Sequence, residues 1–321
     1  MTVIPGEKLT QKNDRKRLIR GYIALAIGTL ALSLSPILVK AVEAPTVVTS
    51  FYRMFFAAVF YSFFIPFQKE PASEGKRSPL FPFILLPLLA GMISGIDHGL
   101  WSIALVKTSV SNCTVLNSMA PVWIAVFSLI FLHEKFNGRF WIGLALAMTG
   151  MVFMSGKGVS FFREGFNEGD RIAFFSSIFY CGYFMFTQLG RGHFSTLKQL
   201  WLSNIACSAT LLIFCRVLGY SMTGYPRSVW VGFILTALMC QIIGYFSLTY
   251  ALGILPASIV GPTDELHSVF SSLIAIPVFH ETLSLHQIIG CAGIVIGVTL
   301  INQGKISQIA NDAEAPALSE S

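Results

Sequence analysis

The chain has 321 residues, a formal net charge of +6, 54% apolar residues and 12% charged ones. A soluble domain carries about 25% charged residues, so this composition excludes a soluble enzyme and points to an integral membrane protein whose first partner is the lipid bilayer. The lysines and arginines sit between apolar runs and form no basic stripe, which excludes nucleic acid as a partner and makes the charge a matter of membrane topology.

Residues 1–17 form a basic tail with Lys8, Lys12, Arg15, Lys16 and Arg17. A helix needs about 20 apolar residues to cross a bilayer, and ten runs near that size follow. The first, 18–40, is too long for a cleavable signal peptide and is bent near its end by Pro36, which removes a backbone hydrogen bond. The second, 45–67, carries Arg53, which could bind an anion or a substrate carboxylate and is first expected to snorkel or to pair with Glu43. The third, 80–106, holds Asp97, His98 and Trp101; its Gly91, Gly95 and Gly99 share one face and invite a close neighbouring backbone. The fourth, 110–132, is interrupted at Pro121, and the fifth is 140–155. A polar linker, 156–170, precedes the sixth (171–189), seventh (197–220) and eighth (229–252) runs. The ninth, 256–279, is broken near Pro262, and the tenth is 285–302. Residues 303–321 read as a disordered polar tail. The six cysteines all lie in apolar runs with no Cys-x-x-Cys pair. Neither a disulfide framework nor a metal site is expected, and no cofactor.

Residues 104–153 and 251–300 align on one another without a gap. Ala104-Leu105 meets Ala251-Leu252, Ser111 meets Ser258, and His133-Glu134 meets His280-Glu281. Gly143 meets Gly290, and Gly150 meets Gly297. The chain therefore reads as two copies, 18–155 and 171–302, of one five-helix unit. An odd number of spans per copy inverts the second relative to the first. The excess of basic residues in alternate loops places both termini in the cytoplasm. Inverted repeats are common in secondary transporters, which bind substrate at the repeat interface, and interrupted spans are the pointer to that interface. Pro121 and Pro262 lie in equivalent spans, each frees a backbone carbonyl near Asn117 or Ser258, and both positions are expected to face a cavity.

With these features in place, the chain resembles the drug/metabolite transporter superfamily, EamA type. The resemblance is carried by Ala104-Leu105, by the run Thr108-Ser109-Val110-Ser111-Asn112, by Pro121-Val122 and by Phe131-Leu132-His133-Glu134, with Gly143 and Gly150. Tyr250-Ala251-Leu252, Pro256-Ala257-Ser258, Glu281, Gly290 and Gly297 carry it in the second copy, and Phe51-Tyr52-Arg53 opens the second span in the family's manner. It implies an all-α membrane fold of ten helices in two inverted five-helix repeats, a central cavity, and transport of small metabolites without ATP, often outward. Asp264-Glu265-Leu266-His267 departs from the family pattern, which has apolar and small polar residues there.

That departure holds the sharpest candidate site. Ionisable groups inside a span cost a few kcal/mol each and do not persist facing lipid. Asp264 and His267 are three apart and share a helical face, whereas Glu265 points about 100° away. Low dielectric disfavours charge on such groups, which suits a proton carrier or the site of a cationic amine. Asp97, His98 and Trp101 form a second cluster suited to an ammonium or an aromatic solute. Gln241 and Tyr245, four apart in the eighth span, are expected to line the opposite wall, and Asn117 and Asn204 are weaker cavity candidates. Glu134 and Glu281 read as span-end anchors.

The expectation is a secondary transporter of the bacterial inner membrane that moves small organic metabolites, amino acids or related compounds, outward by alternating access, with protons as a candidate coupled ion. It is expected as a monomer or homodimer; Gly293 and Gly297 offer a face for a second copy, but internal packing is its first use. The alternatives are an uptake carrier or exchanger of the same fold and an intramembrane enzyme using the Asp/Glu/His cluster. His-Glu-x-x-His is incomplete at both His-Glu pairs, with Asn137 and Ser284 where the second histidine belongs. No serine elbow or phosphate loop is present.

Overall fold

Apolar runs of span length have one way to satisfy their backbone in lipid, the helix. The computed structural model describes residues 11–68, 83–155, 167–279 and 283–318, and among these no residue is in a strand. In chain order the helices are α1 (Gln11–Leu32), α2 (Ser35–Ala41), α3 (Thr46–Phe64), α4 (Leu85–Lys107), α5 (Val110–Asn117) and α6 (Ala120–Phe131). They continue with α7 (Gly138–Met154), α8 (Glu168–Arg191), α9 (Thr196–Val217) and α10 (Arg227–Thr236). After a π segment, Ala237–Tyr245, come α11 (Phe246–Leu252), α12 (Ala257–Asp264), α13 (Leu266–Phe279) and α14 (Leu285–Leu318). Among the described residues, eight helical stretches are long and apolar enough to cross a membrane, and Gly138–Met154 is a shorter apolar helix. Large apolar side chains such as Phe63, Ile142 and Ile213 point outward, the pattern lipid requires.

Lipid tails are as apolar as leucine, so helices associate through close packing, and glycine decides where. A Cβ on Gly91 would meet the carbonyl of Ser203, and one on Gly99 would meet Phe214. The expected glycine face of α4 is thus filled by α9. A Cβ on Gly143 would meet the Gly297 carbonyl, and one on Gly150 the Gly290 carbonyl; the reverse substitutions meet the same partners. Since 143 lies on 297 and 150 on 290, α7 and α14 run antiparallel. Gly293 approaches the Gly150 backbone, so this glycine face is spent inside the molecule.

Several expectations need correction. Pro121 does not interrupt a helix but starts one, in the first turn of α6, where a missing N–H costs nothing. The fourth span breaks earlier, at Ser118-Met119. Pro262 lies within α12, and the break falls after it, at Glu265. The first span is interrupted at 33–34, ahead of Pro36, which sits in the first turn of α2. The tail expected to be disordered continues α14 as far as Leu318; its alanines, glutamines and lysine favour helix. The linker residues 156–166 and the pair His280-Glu281 lie outside the described residues. All six cysteines are free and five are buried, packed as small apolar side chains.

Candidate functional site

The helix breaks of the fourth and ninth spans meet at one cavity of about 660 Å³, a size suited to a small organic ligand. Its wall includes Asp97, His98, Trp101, Asn117, Tyr245, Asp264, Glu265 and His267. Residues expected from four separate spans therefore converge. The cavity reaches Lys40, Thr46 and Val110, near the turns that join α2 to α3 and α4 to α5, and so extends towards that end of the bundle.

Asp264 and Glu265 both face the cavity, although their neighbouring positions put them about 100° apart on a continuous helix. The break at Glu265 removes that constraint. Asp264 is 2% exposed and Glu265 3%. The Tyr180 hydroxyl donates to Asp264 Oδ2 at 3.0 Å, while Asp264 Oδ1 has no partner. Ser118 lies beside the Glu265 side chain, and Glu265 Oε2 has no hydrogen-bond partner. His267 Nδ1 lies 2.6 Å from the backbone carbonyl of Asp264 and 3.9 Å from its Oδ2.

On the opposite wall, Asp97 is satisfied. Its Oδ1 accepts from Asn117 Nδ2 at 3.1 Å and from the Ser176 hydroxyl. Asn117 also donates to Ser176 at 2.9 Å. Beside it, Arg53 Nη2 donates to His98 Nε2 at 2.7 Å, and His98 Nδ1 donates to the Ser94 carbonyl at 2.9 Å. A guanidinium is a donor only, so this pair fixes His98 as the neutral Nδ1–H tautomer. Arg53 Nη1 reaches Ser35 at 3.3 Å. Arg53 therefore neither snorkels nor turns to Glu43; it is buried, and a histidine lone pair is its partner.

Gln241 does not line this cavity. It lies in the π segment, donates to Met54 Sδ, and borders a separate small void with Asn204. Tyr245 borders this void as well as the large cavity, so the four-residue spacing keeps the two side chains on one face. Pro121, Pro262 and Ser258 are also absent from the wall. Ser258 instead donates to Glu134 Oε2 at 2.7 Å, and Lys305 Nζ lies 2.5 Å from the same oxygen and 4.3 Å from the Phe136 ring. His133, with φ of 52°, ends α6 in the left-handed region, and the Glu134 amide turns back to the Ser128 carbonyl. That turn ties Glu134 to α12 and α14 at the far end from Lys40. Glu134 thus does more than mark a span end.

Tyr180, Ser118 and Ser268 are wall residues that the sequence did not single out. One signal was available for Ser118. The alignment that pairs Ala104 with Ala251 pairs Asn117 with Asp264 and Ser118 with Glu265.

Two comparisons bear on identity. The family model of the EamA-like transporter family matches residues 19–156 and again 167–303. A solved structure described only as "Crystal structure of protein" is similar over 89% of this chain and 96% of its own, with a TM-score of 0.66 and 19% identity; at that identity the likeness establishes the fold. No curated protein matches.

Proposed function

The chain belongs to the EamA-like transporter family, a family of membrane transporters of small molecules and not of enzymes, and from that premise we propose that it is an alternating-access secondary transporter of small organic metabolites, amino acids or related compounds. The observation that carries the reading is the cavity of about 660 Å³ bounded by residues of both halves and holding three buried carboxylates, Asp97, Asp264 and Glu265. On this reading the protein crosses the inner membrane of a bacterium ten times, as two inverted units with both termini in the cytoplasm. The antiparallel contact of α7 with α14 supports the inversion, because equivalent spans of inverted copies must run in opposite directions. The end near Lys40 is then the outer one, and the cavity is open to it. Glu134, Lys305 and Ser258 close the inner end.

Asp264 or Glu265 carries the coupled proton, with His267 modulating it, and export is the working direction. The test compares metabolites in the culture medium of cells producing the intact protein with those of cells producing Asp264→Asn at equal abundance. A compound that accumulates outside only with the intact protein names a substrate. Counterflow of that compound in proteoliposomes, with and without a pH gradient, then tests carriage and coupling. Medium profiles that are identical would overturn export, and flux indifferent to the gradient would overturn the proton.

A further inference from the structure

Within the transporter reading above, we infer that the deep corner formed by Asp264 and Glu265 receives a primary ammonium group of the transported solute. The corner is an acceptor site that lacks donors. Asp264 and Glu265 line the cavity, and Asp264 Oδ1 and Glu265 Oε2 are buried with no hydrogen-bond partner. An uncompensated buried carboxylate costs several kcal/mol, so a cation that enters this corner relieves a cost already built into the fold. Asp97 is better supplied with donors, because Asn117 and Ser176 both donate to its Oδ1.

The helix ends add no net sign. The C-terminal ends of α5 and α12 meet the cavity at Ser118 and Glu265, and the N-terminal ends of α6 and α13 follow at once, so their partial charges offset. Facing the corner are Arg53, whose terminal nitrogens serve His98 and Ser35, and His267, whose Nδ1 lies on the Asp264 carbonyl. Lys40 sits at the rim. The count of open acceptors then selects the donor. Two oxygens on adjacent residues match a group with at least two N–H bonds. A primary ammonium has three, and a quaternary ammonium has none. The ring of Tyr180 adds a cation–π surface, and Leu105 and Val110, nearer the mouth, suit an apolar body.

The test is isothermal titration of the purified protein with 2-phenylethylamine and with its N,N,N-trimethyl analogue, which share one apolar body. The primary amine should bind at least about tenfold more tightly, the range set by one charge-assisted hydrogen bond. Asp264→Asn and Glu265→Gln should each weaken it by about tenfold to a hundredfold. Both variants should melt at or above the temperature of the intact protein, since each removes an unpaired buried charge. Equal affinity for the two amines, binding unaffected by both substitutions, or binding of neither amine would overturn the inference. Competition by sodium without discrimination between the amines would make the corner an inorganic-cation site and overturn it equally. Metabolite counterflow in the same preparation reports on carriage separately: flux without amine binding removes the ammonium assignment alone, and amine binding without flux removes the carrier reading alone.

Discussion

The helix breaks at Ser118 and Glu265 stand at equivalent places in the two halves and do opposite things. Each ends an eight-residue half-helix at the cavity. At the first, Asn117 is a donor, and it serves Asp97 and Ser176. At the second, Asp264 and Glu265 are acceptors with one oxygen each left over. The scaffold is repeated and the chemistry is not. A duplicated fold supplies matching breaks in register, and a few side chains then make one break a donor and the other an acceptor.

The sharpest way to break this comparison is to damage the shared scaffold on either side. Gly143→Leu and Gly297→Leu each drive a side chain into the other helix's backbone, and both should yield no folded protein by size-exclusion chromatography. A marked difference between them would show that the contact is not symmetric. The next largest effect comes from giving the second break the chemistry of the first. The double variant Asp264→Asn, Glu265→Gln should lower counterflow by on the order of a hundredfold while folded yield is kept.

The reverse exchange, Asn117→Asp, puts a carboxylate beside Asp97, the fourth on the cavity wall, and removes donors to Asp97 and Ser176. It should destabilise the protein by about 3 kcal/mol, read as a lowered melting temperature, with Asn117→Gln less affected. Lys305→Met strips the cation from Glu134 at the closed end. A loss of about 2 kcal/mol is expected there, together with faster labelling of buried cysteines. Lys107→Met removes an exposed pair with Glu168; surface pairs contribute little, so neither flux nor melting temperature should move measurably.

How far the fold was legible follows from what lipid enforces. The apolar runs at 110, 197 and 285 begin within a residue of α5, α9 and α14, because a span must be both long and apolar and few registers satisfy that. The glycine faces were legible too, since spacing by four leaves one flat side. The acids at Asp264 and Glu265 betrayed themselves by their cost in a span. Eight of the nine residues expected to bind substrate or protons line the cavity; Gln241, the exception, borders an adjoining small void that Tyr245 also lines, and a spacing rule does not say which of two neighbouring spaces a residue meets.

Composition, period and repeat were properties of the chain alone. They determined a helical membrane protein built from two related units, and they marked which residues were too polar to face lipid. Only the tertiary structure decided which polar residues would meet. It paired Arg53 with His98 across two helices, set Ser118 against Glu265, and turned Glu265 into the same cavity as Asp264. The reason is geometric. A helical period states which side of a helix a residue occupies, but not which neighbour that side meets. At a broken helix even the side is released, and the packing of the other half chooses it.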